Sequence, residues 1–82
     1  MKAYRNNSFF STIVYPSDIA KFNSTFPCSD IPEETIRFEW HIDGDLVDIE
    51  SNSDIEDDAA LAALILDAKD FALKELALPC NL

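Results

Sequence analysis

The chain holds a single glycine, Gly44, and a single histidine, His41, among its 82 residues. One glycine excludes a glycine-rich loop that would cradle a phosphate, and one glycine with four prolines excludes a low-complexity linker. One histidine leaves acid–base and metal chemistry short of partners. Cys28 and Cys80 are the only cysteines, and with His41 they lack both the number and the spacing of a zinc site. No nucleophile with an oriented base and no cofactor motif is legible, so a non-enzymatic protein without metal or cofactor is expected. Long apolar runs are missing as well. The patch Phe9–Tyr15 is short and broken by Ser11 and Thr12, which is neither a signal peptide nor a transmembrane span and points to the cytoplasm. In that compartment the two cysteines are expected as reduced thiols, a Cys28–Cys80 bridge being the alternative.

Basic residues are scarce. Six Lys and Arg stand against sixteen Asp and Glu, for a net charge of −10. Affinity for nucleic-acid phosphates comes from Lys and Arg displacing counterions, so direct nucleic-acid binding is excluded, and anionic membranes are disfavoured for the same reason. What is present is apolar material: 48% of the chain, with six Phe, one Trp and two Tyr, enough for the core of one domain over residues 1–82. Residues 1–7 read as a flexible N-terminus and 79–82 as a C-terminal tail. At this size an oligomer or partner can supply part of the stability.

Residues 8–15, SFFSTIVY, are β-branched and aromatic and predict a strand ending at Pro16. Ser17 is placed to cap a short helix from Asp18 to about Ser24. Two prolines within Phe26–Pro32 exclude a helix there. Residues 35–42, TIRFEWHI, alternate, with Ile36, Phe38, Trp40 and Ile42 on one face and Arg37, Glu39 and His41 on the other. Asp43-Gly44 is a favoured two-residue hairpin turn, and Leu46–Glu50 is the return strand. In that register Trp40 faces Val47, Phe38 faces Ile49, Arg37 faces Glu50, and Glu39 faces Asp48. A three-residue loop would set Trp40 against Asp48, which disfavours it. Ser53 and Glu56 match a capping box that starts a helix from Asp54 to Leu78, stopped by Pro79. Its stripe of Leu61, Leu64, Ile65, Ala68, Phe71, Ala72 and Leu76 should pack on the Phe38/Trp40/Val47/Ile49 face. The expected fold is α+β, in the order β-α-β-β-α, a small mostly antiparallel three-stranded sheet under a long C-terminal helix.

Two features bear on function. Between Glu39 and Asp58 stand nine carboxylates without one Lys or Arg: Glu39, Asp43, Asp45, Asp48, Glu50, Asp54, Glu56, Asp57 and Asp58. The acids from Asp54 onward suit the positive end of a helix dipole. The hairpin acids have no such explanation, and Glu39 opposite Asp48 ordinarily destabilises a sheet. Asp43 to Glu50 is not an EF-hand loop, because Gly44 comes second and the residues after it alternate like a strand. The second feature is an apolar line along the last helix, Ile55, Ala62, Leu66 and Leu73, set apart from the core stripe. It is either covered by the short helix and first strand or forms a contact with a second subunit or partner.

The acidic run predicts an interaction protein whose anionic face docks on a basic protein surface, acting as an inhibitor or decoy where that surface normally holds nucleic acid. In size and charge the chain resembles phage-encoded inhibitors of host defence, including anti-CRISPR and anti-restriction proteins. That resemblance implies a CRISPR-Cas or restriction protein as partner. The alternative is a structural or accessory subunit that homodimerises or assembles through Ile55, Ala62, Leu66 and Leu73.

Overall fold

The structure, a computed structural model, describes residues 1–77. The elements in chain order are β1 (Lys2–Arg5), β2 (Phe9–Val14), α1 (Pro16–Thr25), β3 (Ile36–His41), β4 (Leu46–Glu50) and α2 (Ala59–Glu75). The four strands form one sheet in the order β1-β2-β3-β4, each pair antiparallel. The architecture is α+β, with one strand more than the sequence predicts. The added strand comes from residues read as a flexible N-terminus: Lys2 pairs with Ile13 and Arg5 with Phe10. No helix of the described residues is long and apolar enough to cross a membrane.

Alternation in β2 and β3 builds the core. Phe10, Thr12 and Val14 point to the helix side and lie opposite Trp40, Phe38 and Ile36, and all six are buried. The Phe10 and Trp40 rings stack with centroids 5.3 Å apart. Helix α1 starts earlier than expected. Its N-cap is Tyr15 rather than Ser17, with Pro16 in the first helical turn, where the fixed φ of proline is already helical. Asp18 then turns back to accept the Tyr15 N–H at 3.0 Å. After α1, the Asn23 amide donates to the Ile31 carbonyl at 2.8 Å, which holds the irregular loop so that Ile31 enters the core.

Helix α2 begins at Ala59, not Asp54, and its cap is Asp58, which accepts the Leu61 N–H at 3.1 Å. The expected cap, Ser53, is held elsewhere. Its hydroxyl donates to Glu34 at 2.7 Å, and the Ser53 and Asn52 amides donate to the same carboxylate at 3.1 and 2.8 Å. Residues 51–58 are therefore a loop anchored to the segment before β3. Of the expected stripe, Leu61, Leu64, Ala68 and Ala72 are buried with Ala60 beside them, Ile65 and Leu76 are half-buried against the core, and Phe71 is half-buried at its margin. The helix lies chiefly over β2 and β1 rather than over the hairpin. Small residues allow a close approach there, close enough for the Thr12 hydroxyl to donate to the Ala68 carbonyl at 2.8 Å in the core. The helix also ends earlier than expected, at Glu75 rather than Leu78: Leu76 is its C-cap, and Ala77 takes a positive φ of 52° that stops the helical path before Pro79 is reached. Pro79, the 79–82 tail, and Cys80 with its bridge to Cys28 lie outside the described residues.

The hairpin differs from the expected one in an instructive way. His41 N–H donates to the Asp45 carbonyl and Gly44 N–H to the His41 carbonyl, both at 2.8 Å, so the loop has three residues, Ile42-Asp43-Gly44. Gly44 sits at φ +107°, a conformation that side-chain-bearing residues rarely adopt. Trp40 consequently faces Leu46, not Val47. A β-bulge between Glu39 and Trp40 then absorbs Val47, and beyond it Glu39 faces Asp48, Phe38 faces Ile49 and Arg37 faces Glu50. A three-residue loop and a bulge together give the apolar pairing that a regular ladder reaches only with a two-residue turn. Ile42, expected inside, is 39% exposed at the tip.

Candidate anionic docking face

The nine acids divide by position. Asp43 and Asp45 flank Gly44 at the tip of the hairpin, and the Asp43 carboxylate accepts the Asp45 N–H at 3.3 Å. Glu39, Asp48 and Glu50 lie on the sheet face away from the helices, because they share that face with Arg37 in the β3–β4 register. Asp54, Glu56, Asp57 and Asp58 are exposed in the loop after β4. Asp58 is the cap of α2 and its first turn holds no acid, while the other three precede the helix, so the dipole argument is anchored in one residue where it was expected to cover four.

Strand β4 thus runs between two acidic loops and carries two further acids along its length. Five strand residues at ~3.4 Å each make that acidic line roughly 17 Å long before the loops are added. Exposure follows the same line: Asp43, Asp45, Asp48 and Glu50 are all exposed. Glu39 is half-buried, one strand further in.

Arg37 tempers the charge. Its guanidinium lies 2.7 Å from Glu39 and 3.3 Å from Glu50, so one cation serves two carboxylates, and among the described residues no cation pairs with Asp48. The Glu39–Asp48 juxtaposition is present as expected, and the cross-strand arginine beside it explains how the sheet tolerates it. A second cation stands near the tip. A Cβ placed on Gly44 would come within 3.0 Å of the Lys69 ammonium, which places this α2 side chain against the turn.

The two perturbed carboxyls, Glu34 and Asp18, are not among the nine acids. Hydrogen bonds from the Ser53 hydroxyl, then from the Ser53 and Asn52 amides, hold Glu34 below its ordinary value. At Asp18 partial burial works upward. It is outweighed by the hydrogen bond from the N-terminal ammonium at 2.8 Å and by the Tyr15 amide, and the net shift is downward. His41 lies on the outer face with its ring 4.7 Å from that of Phe9. Among the described residues no three His, Cys, Asp or Glu side chains converge into a group able to hold a metal ion.

The apolar line expected along α2 is divided. Ile55 lies in the loop before the helix, and both Ile55 and Leu73 pack against the core. Ala62 and Leu66 remain outside, Leu66 at 66% exposure. Sequence reasoning missed another apolar group. Leu46 and Val47 on β4 and Ile42 at the tip are 42%, 44% and 39% exposed, because α2 lies over the other half of the sheet. The signal for Val47 was the bulge, which is visible only once both strand registers are known.

Compared with protein-family models, curated proteins and solved structures, the chain matches none of them significantly. Function therefore has to come from the charged edge itself.

Proposed function

We propose that the protein is a small acidic, non-enzymatic interaction protein whose β3–β4 hairpin docks on a Lys/Arg-rich surface of another protein. Where that surface normally holds nucleic acid, docking makes this chain an inhibitor or decoy. The observation that carries the reading is the line of exposed carboxylates Asp43, Asp45, Asp48 and Glu50 along one edge of the sheet, with Arg37 the only cation in the hairpin. A rigid strand holds such charges at a regular spacing, as a phosphate backbone does, and opposite fields speed encounter. The resemblance in size and charge to phage-encoded inhibitors of host defence makes CRISPR-Cas and restriction proteins the first partners to test.

The test is a pull-down from native host lysate at low and high salt. It compares the natural chain with a variant carrying Asp43→Lys, Asp48→Lys and Glu50→Lys. A specific partner that is released by salt and lost with the variant is the expected result. A partner retained through both changes refutes the reading.

The second reading, a subunit that pairs through the α2 apolar line, keeps one favourable observation in the exposure of Leu66. Ile55 and Leu73 are turned toward the core, which leaves Ala62 and Leu66 as the contact. Light scattering decides it: a dimer that Leu66→Gln dissociates supports this reading, and a monomer at high concentration removes it.

A further inference from the structure

β4 is the terminal strand of the sheet. One side of it pairs with β3, and among the described residues no strand pairs with the other. Such an edge is a row of backbone donors and acceptors open to another chain, and natural proteins guard it with charges and bulges. Both guards are present here: the bulge at Val47, and Asp48 with Glu50 on one face.

Those guards are selective. Two copies pairing β4 against β4 would bring the Asp48 and Glu50 side chains of both chains onto one face, where like charges opposite each other destabilise the pair. A cationic strand meets the reverse situation. Residues two apart on a strand stand on the same face about 7 Å apart, so alternating Lys or Arg side chains match Asp48 and Glu50 in spacing and in sign. The other face of the edge is apolar, with Leu46 exposed and Ile49 half-buried beside the core. An incoming strand would cover Leu46, which α2 leaves open.

We infer that β4 is itself the docking element: it accepts an extended segment of the partner as a fifth strand. In that segment Lys or Arg alternates with apolar residues, the cations on the Asp48/Glu50 face and the apolar side chains beside Leu46 and Ile49. This rests on the docking reading above and narrows it from any basic surface to a basic strand. The bulge interrupts the edge near the tip, so the added strand is short.

The experiment uses the full chain, isotopically labelled, and three peptides of equal charge. One alternates Lys and Val, one has the same order with alternate backbone amides N-methylated, and one has its Lys and Val residues in separate blocks. Binding at low salt and amide exchange along β4 are measured for each. The alternating peptide should slow exchange of the β4 amides. It should bind about fivefold to thirtyfold more tightly than the N-methylated one, the effect of losing one or two backbone hydrogen bonds at ~1 kcal/mol each. Equal binding by all three peptides with unchanged β4 exchange overturns strand addition but leaves charge docking standing, provided Asp48→Lys with Glu50→Lys abolishes it. Perturbation centred on another face overturns strand addition as well. Failure of every peptide to bind removes both readings, and β4 shifts that depend on protein concentration without peptide assign the edge to a second copy and refute the inference.

Discussion

Arg37→Gln should move stability and binding in opposite directions, which makes it the sharpest test of the acidic edge. The guanidinium, 32% exposed, sits between Glu39 at 2.7 Å and 23% exposure and Glu50 at 3.3 Å and 62% exposure. Ion pairs of this partly solvated kind contribute about 0.2–1 kcal/mol each. The longer, more exposed Glu50 pair belongs at the low end and the Glu39 pair near the top. Without the arginine Glu39 and Asp48 also face each other uncompensated, worth a few tenths of a kcal/mol or roughly that. The loss should total about 1.5 kcal/mol, or ~6–12 °C in Tm for a domain of this size.

Binding should improve, because the edge becomes one unit more negative. A unit charge acting at about 8 Å through a water-like dielectric is worth ~0.5 kcal/mol, close to a twofold gain in affinity for a cationic peptide. That gain should fade as salt shortens the screening length. Urea denaturation measures the first quantity, and calorimetric titration with the Lys–Val peptide at two salt concentrations measures the second. A variant that is less stable and also binds less tightly at low salt refutes the placement of the docking face on this edge. A variant that is more stable refutes the account of Arg37 as the counter-ion.

Thr12→Val keeps side-chain volume but removes the hydroxyl that donates to the Ala68 carbonyl, so the unfolding free energy should fall by about 1 kcal/mol, read as a lower urea midpoint with an unchanged slope. An unchanged midpoint would mean that this bond between β2 and α2 adds no net stability. Gly44→Ala forces a Cβ onto φ +107° within 3.0 Å of the Lys69 ammonium and should cost ~1–3 kcal/mol in the same assay; a neutral result would show that the turn relaxes. Glu34, held below its ordinary value of 4.5, contributes stability that is complete above that value and is lost as pH falls through its lowered one. Tm followed from about pH 6 to about pH 3 should therefore fall less steeply in Glu34→Gln than in the natural chain, and identical slopes would remove Glu34 from the acid response.

Most of the fold was legible where one face of an element is buried. Ile36, Phe38 and Trp40 alternate with Arg37, Glu39 and His41 because the first three meet the core. The same alternation aligned Arg37 with Glu50 and Phe38 with Ile49. It failed at the tip, since matching faces selects one loop length only when the ladder is regular, and the bulge at Val47 breaks that condition. β1 was hidden because Lys2–Arg5 is an edge strand with only Ala3 partly covered, so burial leaves no pattern in it. The start of α2 was misplaced for a different reason. Ser53 and Glu56 satisfy the capping rule locally, yet Glu34, nineteen residues before Ser53, takes its hydroxyl and amide. A local signal cannot register a distant competitor.

The candidate site was legible as a run of charge but not as a shape. Composition located the acids from Glu39 to Asp58, and their meaning depends on where the strands end. With three strands and α2 lying over the hairpin, β4 would be covered on its apolar face and the acids would be a solvated fringe. With β1 added, the helix sits over β2 and β1, and the hairpin margin stands clear with Leu46 and Val47 exposed beside Asp48. The missed strand and the open edge are thus linked, because extending the sheet on one side moves its covered centre away from the other. On the proposed reading the acids on β4 would do more than solubility requires: they would deter pairing with another β4 while leaving the backbone open to a strand of opposite charge.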